Sequence, residues 1–127
     1  MPNPEIEEFA RLLIEHVRDQ AIQHGDRWLH PENSDPVAIR WKKAAGDADS
    51  KSIAAVFIPD IVDSAIAQLL WAIDEGLLKL SFTASNGDSI DLSKEGFGEL
   101  CGWYMGSDGW RAMYSKERYV DDFSDLK

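Results

Sequence analysis

Three histidines are the first side chains in this sequence that could carry acid–base chemistry or bind a metal. His16 and His24 lie in one helical segment but about 80° out of alignment, so they do not share a face. His24, Asp26 and His30 are closer together, at a helix end and in the following loop. Their spacing matches no standard zinc motif such as HExxH. A His24/Asp26/His30 enzyme site remains an alternative hypothesis, and we expect no metal and no cofactor.

Nucleophilic catalysis has no recognisable motif in this chain. Cys101 falls on the apolar face of its predicted helix, where a thiol is buried and unreactive. The carboxylate pairs Asp60/Asp63 and Asp121/Asp122 would act as acid and base only if burial separated their pKa values. The sequence contains no GxSxG elbow and no glycine-rich phosphate loop. These features favour a protein that is not an enzyme.

The segment GWYMGSDGW, residues 102–110, is the strongest candidate for a binding site because it combines aromatic side chains with glycines. Glycines spaced by four residues would form a groove along one helix, at a cost of about 1 kcal/mol each relative to alanine. Three alternatives are open: the helix of residues 60–75 packs in this groove, a ligand or partner peptide lies there against aromatic walls, or the segment is a broken, non-helical loop. The predicted binding residues are Gly98, Gly102, Trp103, Gly106, Asp108, Trp110 and Arg111.

The net charge of −10, from 13 basic and 23 acidic side chains, indicates the class of partner. An acidic surface repels phosphate backbones and anionic lipid, so we expect neither a nucleic acid nor a membrane partner. Residues 36–58 alone carry a basic excess. We predict a small acidic interaction protein that regulates or neutralises a basic protein partner, as immunity and inhibitor proteins do. The alternative is a small-molecule-binding domain that uses the glycine and aromatic groove of residues 97–111.

The predicted compartment is the cytoplasm. A single cysteine fits a reducing environment, and the first 30 residues lack the basic-then-apolar order of a secretory signal. We find no stretch of roughly 20 apolar residues of the kind that a membrane helix requires.

The sequence pattern predicts which helices and strands position these residues. Together they indicate an α+β fold, mainly helical, in one domain over residues 1–127. Capping residues, prolines and stop glycines predict helices from Asn3 to Gly25, from Asp35 to Gly46 and from Asp60 to Gly76, with shorter ones after Ser93 and Asp108.

A β-hairpin is predicted with strands at about 77–84 and 88–92. A three-residue loop with Gly87 in the left-handed conformation would pair Phe82 with Ile90 and place the apolar side chains on one face. The apolar run IAAVFI, residues 53–58, fits either a buried strand or the approach to the next helix; we favour an extended segment, which could add an edge strand.

Overall fold

The structure, a computed structural model, describes residues 3–119 of the chain. It is mainly helical with one two-stranded antiparallel sheet, which confirms the predicted α+β fold. Helix α1 consists of the α-helical segments Pro4–Leu13 and Asp19–Leu29, joined by a π-helical turn, Ile14–Arg18. Helix α2 is Pro36–Ala45. Helix α3 begins with Ser50–Ser52, continues through a π-helical turn, Ile53–Phe57, and ends with the α-helical segment Ile58–Asp74. The strands are β1, Ser81–Thr83, and β2, Ser89–Asp91, followed by the short helices α4, Leu92–Glu95, α5, Leu100–Met105, and α6, Trp110–Tyr114.

Helix α1 begins where the sequence predicts and ends later. The side chain of Asn3 accepts a hydrogen bond from the Ile6 N–H at 2.8 Å, so the predicted cap is confirmed. The predicted end at Gly25 is wrong, because the helix continues to Leu29. Gly25 is buried where α1 approaches α3, and a Cβ atom on it would lie 3.1 Å from side-chain carbons of Ile58. The glycine therefore permits close packing of the two long helices.

The predicted edge strand at residues 53–58 is wrong, because this run is helical and belongs to α3. Pro59 lacks an N–H group, and inside a regular helix its ring would clash with the carbonyl four residues earlier. The wider turn Ile53–Phe57 ends just before Pro59, which therefore occupies the first turn of the following α-helical segment. The π-helical turn thus lets the helix begin before the proline.

The predicted first strand is too long, because its initial residues cap α3 instead. Gly76 has φ +74°, and its N–H donates to the Ile73 carbonyl at 3.0 Å. The N–H groups of Leu77 and Leu78 both donate to the Ala72 carbonyl, at 2.9 and 3.2 Å. This Schellman-type cap uses backbone groups that a longer β-ladder would need.

The predicted hairpin register is confirmed. Phe82 lies opposite Ile90, and the Ala84 N–H donates to the Asp88 carbonyl at 2.8 Å. Gly87 has φ +91°, in the left-handed region. Glu8 of α1 holds the loop by accepting hydrogen bonds from the Ser85 hydroxyl at 2.6 Å and from the Ser85 N–H at 2.8 Å.

The predicted glycine groove is absent, because Gly98, Gly102 and Gly106 do not share one helix. Phe97 and Gly98, at φ +53° and +72°, separate α4 from α5. Gly102 lies within α5, and Gly106 follows its last residue. Asp74 at the end of α3 accepts the N–H groups of Leu100 and Cys101, at 3.0 and 2.9 Å. A carboxylate from another helix therefore caps α5.

The segment Ile53–Asp74 has 22 residues and contains an 18-residue window with a mean hydropathy of 1.7, so it is long and apolar enough to cross a membrane. The expectation that no such stretch exists is therefore wrong. The core helix of a water-soluble protein meets the same criterion, and Ile66, Leu70 and Ile73 of α3 do pack in the hydrophobic core. The structure is thus compatible with a soluble protein.

Alanine substitutions at two glycines should have opposite effects on stability. A Cβ atom at Gly102 would have open space, so Gly102→Ala should raise the free energy of unfolding by about 0.5–1 kcal/mol. A Cβ atom at Gly96 would lie 2.7 Å from the Leu92 carbonyl oxygen, so Gly96→Ala should lower it by about 1–3 kcal/mol. Urea unfolding measures both, and a destabilised Gly102→Ala would mean that a close backbone contact exists there.

Candidate functional site

Asp63 of α3 is the acceptor for three buried side chains. It is 3% exposed, whereas Asp60, one helical turn earlier, is exposed. Arg18 of α1 donates from Nε to Asp63 Oδ1 at 2.7 Å. Arg111 of α6 donates from Nη1 to Oδ2 at 2.7 Å, and Tyr104 of α5 donates its hydroxyl to Oδ1 at 2.6 Å. One carboxylate thereby connects α3 with α1, α5 and α6.

Asp19 provides the second buried carboxylate and is 4% exposed. It accepts hydrogen bonds from Arg18 Nη1 at 3.0 Å, from the Ser115 hydroxyl at 2.7 Å and from the Lys116 N–H at 2.9 Å. Two buried arginines thus meet two buried aspartates, as buried charges require. We call this set the buried charge network; its members are Arg18, Asp19, Asp63, Tyr104 and Arg111.

The segment 115–119 closes the network from outside. Its Arg118 carbonyl accepts a hydrogen bond from Arg18 Nη2 at 2.7 Å, and the Tyr119 ring centroid lies 4.5 Å from Arg111 Cζ. The Arg118 guanidinium binds both carboxylate oxygens of Asp26, at 2.9 and 2.6 Å. The segment therefore fastens α1 and covers both buried guanidinium groups.

The π-helical turn Ile14–Arg18 explains how an arginine comes to lie on the apolar face of α1. Regular periodicity predicts that Val17 and Ala21 belong to the buried stripe. A π-helical turn contains one residue more than an α-helical turn, so the stripe moves on by one residue. Arg18 and Ile22 are consequently fully buried, while Val17 is 50% exposed.

Burial and ion pairing change the pKa of Arg18 in opposite directions. Burial by itself would lower the pKa of the guanidinium, but the hydrogen bond and the charge of Asp63 outweigh it and raise that pKa above its usual value. Burial, followed by the hydrogen bond to Asp63, raises the pKa of Tyr104. At neutral pH, Arg18 is therefore charged and Tyr104 remains a neutral donor to Asp63.

A pocket of about 270 Å³ lies between α1, α5 and α6. Trp110 is 3% exposed and Trp103 is half-buried, and their ring centroids are 6.3 Å apart. Glu7 and Asp108 supply carboxylates, and no basic side chain of the described residues lines the pocket. We call it the acid-aromatic pocket; it is lined by Glu7, Trp103, Asp108, Gly109, Trp110, Met113 and Tyr114.

The predicted binding residues separate into three groups. Trp103, Asp108 and Trp110 come together in the acid-aromatic pocket. Arg111 points away from them, into the buried charge network and a second cavity. The three glycines line neither pocket: Gly98, Gly102 and Gly106.

The structure gives little support to the alternative enzyme site at His24, Asp26 and His30. Asp26 is engaged by Arg118, and His24 and His30 are exposed. His30 Nδ1 accepts a hydrogen bond from the Glu32 N–H at 3.2 Å. Asp26 and His30 line the same open pocket, of about 440 Å³, which His24 does not reach. Across residues 3–119, no group of three or more His, Cys, Asp or Glu side chains could hold a metal ion.

The other acidic and thiol candidates can now be placed. Burial does distinguish Asp63 from Asp60, although Asp63 is engaged by structural donors. The pair Asp121/Asp122 lies outside the described residues. Cys101 is half-buried, and burial, assisted by the charge of Asp74, raises the pKa of its thiol. A raised pKa leaves little of the nucleophilic thiolate at neutral pH.

Sequence spacing does not predict that Arg18, Asp19 and Tyr104 lie together in the buried charge network, or that Ser115 contacts it. One signal was available, because Asp63 interrupts the apolar face that Ile66 and Leu70 continue. A charged residue at a buried position of a core helix requires a buried partner. The three side chains that donate to Asp63 lie 41–48 residues away along the chain and carry no local signal.

Comparison with known proteins identifies no relative. No protein-family model matches the chain, and comparisons with curated proteins and with solved structures give no match either.

Replacing Asp63 should destabilise the protein far more than replacing Asp60. Asp63→Asn would leave Arg111 buried without a charged partner and Arg18 with Asp19 alone, and should lower the free energy of unfolding by about 3–5 kcal/mol. Asp60→Asn removes the same charge from an exposed position and should change it by less than about 0.5 kcal/mol. Urea unfolding measures both variants, and equal effects would contradict the central role of Asp63.

Tyr104 should make the protein less stable at high pH. Because folding raises its pKa, the unfolded tyrosine ionises near its usual pKa of 10.0 while the folded one stays protonated. The free energy of unfolding should therefore fall by about 1.4 kcal/mol per pH unit above pH 10 from this group alone. Tyr104→Phe should show a correspondingly shallower fall in urea unfolding across that range. Parallel pH profiles would contradict the assignment.

Proposed function

We propose that this protein binds a basic protein partner and regulates or neutralises it, and that a lysine or arginine side chain of the partner enters the acid-aromatic pocket. The observation that supports this is the composition of the pocket, two carboxylates among aromatic side chains with no basic side chain of residues 3–119 lining it. Carboxylates attract a cationic head group, and aromatic faces attract cations through their quadrupole.

The size and walls of the pocket fit a single long cationic side chain. Lysine and arginine bury their methylene groups against apolar surface while the charged group finds a polar partner. Met113 is 57% exposed at the pocket and offers such a surface beside Trp103. Glu7 and Asp108 supply acceptors for the charged group.

The rest of the surface favours the same class of partner. Among residues 3–119 the buried arginines and aspartates cancel, so the acidic excess of this part of the chain is carried outside the core. A field of this sign accelerates encounters with a basic protein and weakens with added salt. Asp108 and Glu7 then determine where the cationic side chain is held.

The cytoplasm is the compartment that we propose. The single cysteine, Cys101, is half-buried with a raised thiol pKa, which suits a protein that relies on packing rather than on a disulfide. Helix α3 contributes apolar side chains to the core, as in a water-soluble domain.

A small-molecule-binding domain is the second candidate, and it would use the same aromatic side chains. The acid-aromatic pocket measures about 270 Å³, whereas small-molecule sites usually measure about 300–1,000 Å³. The size therefore favours one side chain of a protein partner over a separate ligand.

Titration with basic peptides tests the role of the pocket. An oligolysine or oligoarginine peptide should shift the indole N–H resonances of Trp103 and Trp110, whereas an oligoglutamate peptide should not. Asp108→Asn should weaken binding about fivefold or more, because it removes a charged acceptor. Asp47→Asn, an equal charge change at an exposed loop position, should weaken binding less than twofold. Equal effects of the two variants, or unchanged indole resonances, would refute a specific cation pocket.

Photo-crosslinking in the native cells tests the partner class. A photoreactive amino acid in place of Met113, exposed at the pocket, should capture a basic protein. The same amino acid in place of Ala44, exposed on α2, serves as the control. Asp108→Asn in the same chain should reduce the capture. A neutral or acidic partner, or equal capture from both positions, would contradict the proposal.

A further inference from the structure

A second cavity, of about 370 Å³, lies between α3 and the α5–α6 region. Its lining is mostly polar and includes groups of both charges. The side chains that line it are Asp60, Asp63, Ser64, Ala67, Gln68, Met105 and Arg111. We call it the polar cavity; it shares no residue with the acid-aromatic pocket.

Arg111 at the polar cavity has a hydrogen-bond donor without a protein partner. The residue is 2% exposed, and its Nη1 and Nη2 atoms donate to Asp63 and to the Met105 carbonyl. Its Nε atom is buried and finds no acceptor among residues 3–119. Nearly all buried polar groups in proteins have a partner, so this donor is available for an acceptor that residues 3–119 do not supply.

The local charge beside Arg111 favours an acceptor that is anionic. The guanidinium groups of Arg18 and Arg111 share the single carboxylate of Asp63 on this side of the network. Asp19 pairs with Arg18 from the other side and makes no hydrogen bond to Arg111. Among residues 3–119, Arg111 therefore forms its ion pair with a carboxylate that a second guanidinium also uses, so a further carboxylate can share its charge.

The outer part of the polar cavity favours a cationic group. Asp60 is exposed, and its carboxylate has no ion-pair or hydrogen-bond partner within the described part of the chain. Ser64 and Gln68 follow it at intervals of four residues, on the same face of α3. Both side chains are exposed and can donate or accept hydrogen bonds. This part of the cavity therefore suits an ammonium group.

We infer that the polar cavity binds a small zwitterion of the α-amino-acid class, with its carboxylate toward Arg111 and its ammonium group toward Asp60. A simple anion would meet the unpaired carboxylate of Asp60, and a simple cation would leave the Arg111 Nε donor without an acceptor. Only a ligand with both groups satisfies both ends. This site is separate from the proposed partner contact at the acid-aromatic pocket and does not depend on it.

Matched ligands test the inference. The proteinogenic amino acids are screened by thermal shift on the full chain, and the one that gives the largest shift is titrated by calorimetry. Its N-acetyl derivative keeps only the carboxylate, and its amide keeps only the ammonium group. Each derivative should bind at least tenfold more weakly than the zwitterion. If no amino acid binds, or if one derivative binds as well as the parent, the inference is wrong.

Surface variants localise the site without disturbing the buried charge network. Asp60→Asn should weaken binding of the amino acid about tenfold and leave the melting temperature of the unliganded protein unchanged. Asp47→Asn should leave the binding affinity unchanged. Asp108→Asn should also leave it unchanged, which separates this site from the acid-aromatic pocket. Equal loss of affinity in Asp108→Asn, or none in Asp60→Asn, would overturn the assignment.

Discussion

The carboxylate of Asp63 is the group on which the arrangement of this protein depends. Taking charged groups out of water costs several kcal/mol for each ion, and this cost is recovered only while every partner is in place. Two arginines and a tyrosine converge on that one carboxylate from three different helices. The helices are therefore fixed relative to one another more narrowly than apolar packing alone would require, because apolar contacts tolerate small displacements whereas hydrogen bonds to a buried charge do not.

The surfaces that we propose to be functional depend on this constraint. Trp110 precedes Arg111 in α6, so the hydrogen bond from Arg111 to Asp63 also determines where the indole of Trp110 lies. Arg111 Nη2 donates to the Met105 carbonyl, which holds the end of α5 and with it Trp103. The acid-aromatic pocket is thus built on short helices that would be marginal by themselves and are held by a buried ion pair.

Local chemistry made several elements of the fold predictable. The Asn3 cap, the start of α2 after Asp35, its end at Gly46 and the hairpin register all follow from interactions within a few residues of one another. Two glycines have roles that differ from the predicted ones. Gly25, predicted to end α1, instead allows α1 and α3 to approach. Gly98, predicted to line a helical groove, has a left-handed conformation between two helices. In both cases the surrounding tertiary structure, which local sequence does not encode, determined the role of the glycine.

The site was predictable only in part, for a related reason. Trp103, Asp108 and Trp110 lie close together in sequence, and their aromatic and acidic character marked them as a candidate surface. The buried charge network joins side chains from distant positions, and the π-helical turn Ile14–Arg18 changes which face of α1 is buried. No periodicity in the sequence predicts such a turn, so regular helical spacing assigns Val17, and not Arg18, to the core.

The long sequence separation of these contacts also sets the order of events when the chain is made. Arg18 and Ser115 are 97 residues apart, an interval that a ribosome takes roughly 5–20 s to synthesise. During that time α1, and α3 once residue 74 has been made, can form as helices, but the guanidinium group of Arg18 has to remain hydrated. Final desolvation of the core therefore waits until residues 115–119 have left the exit tunnel.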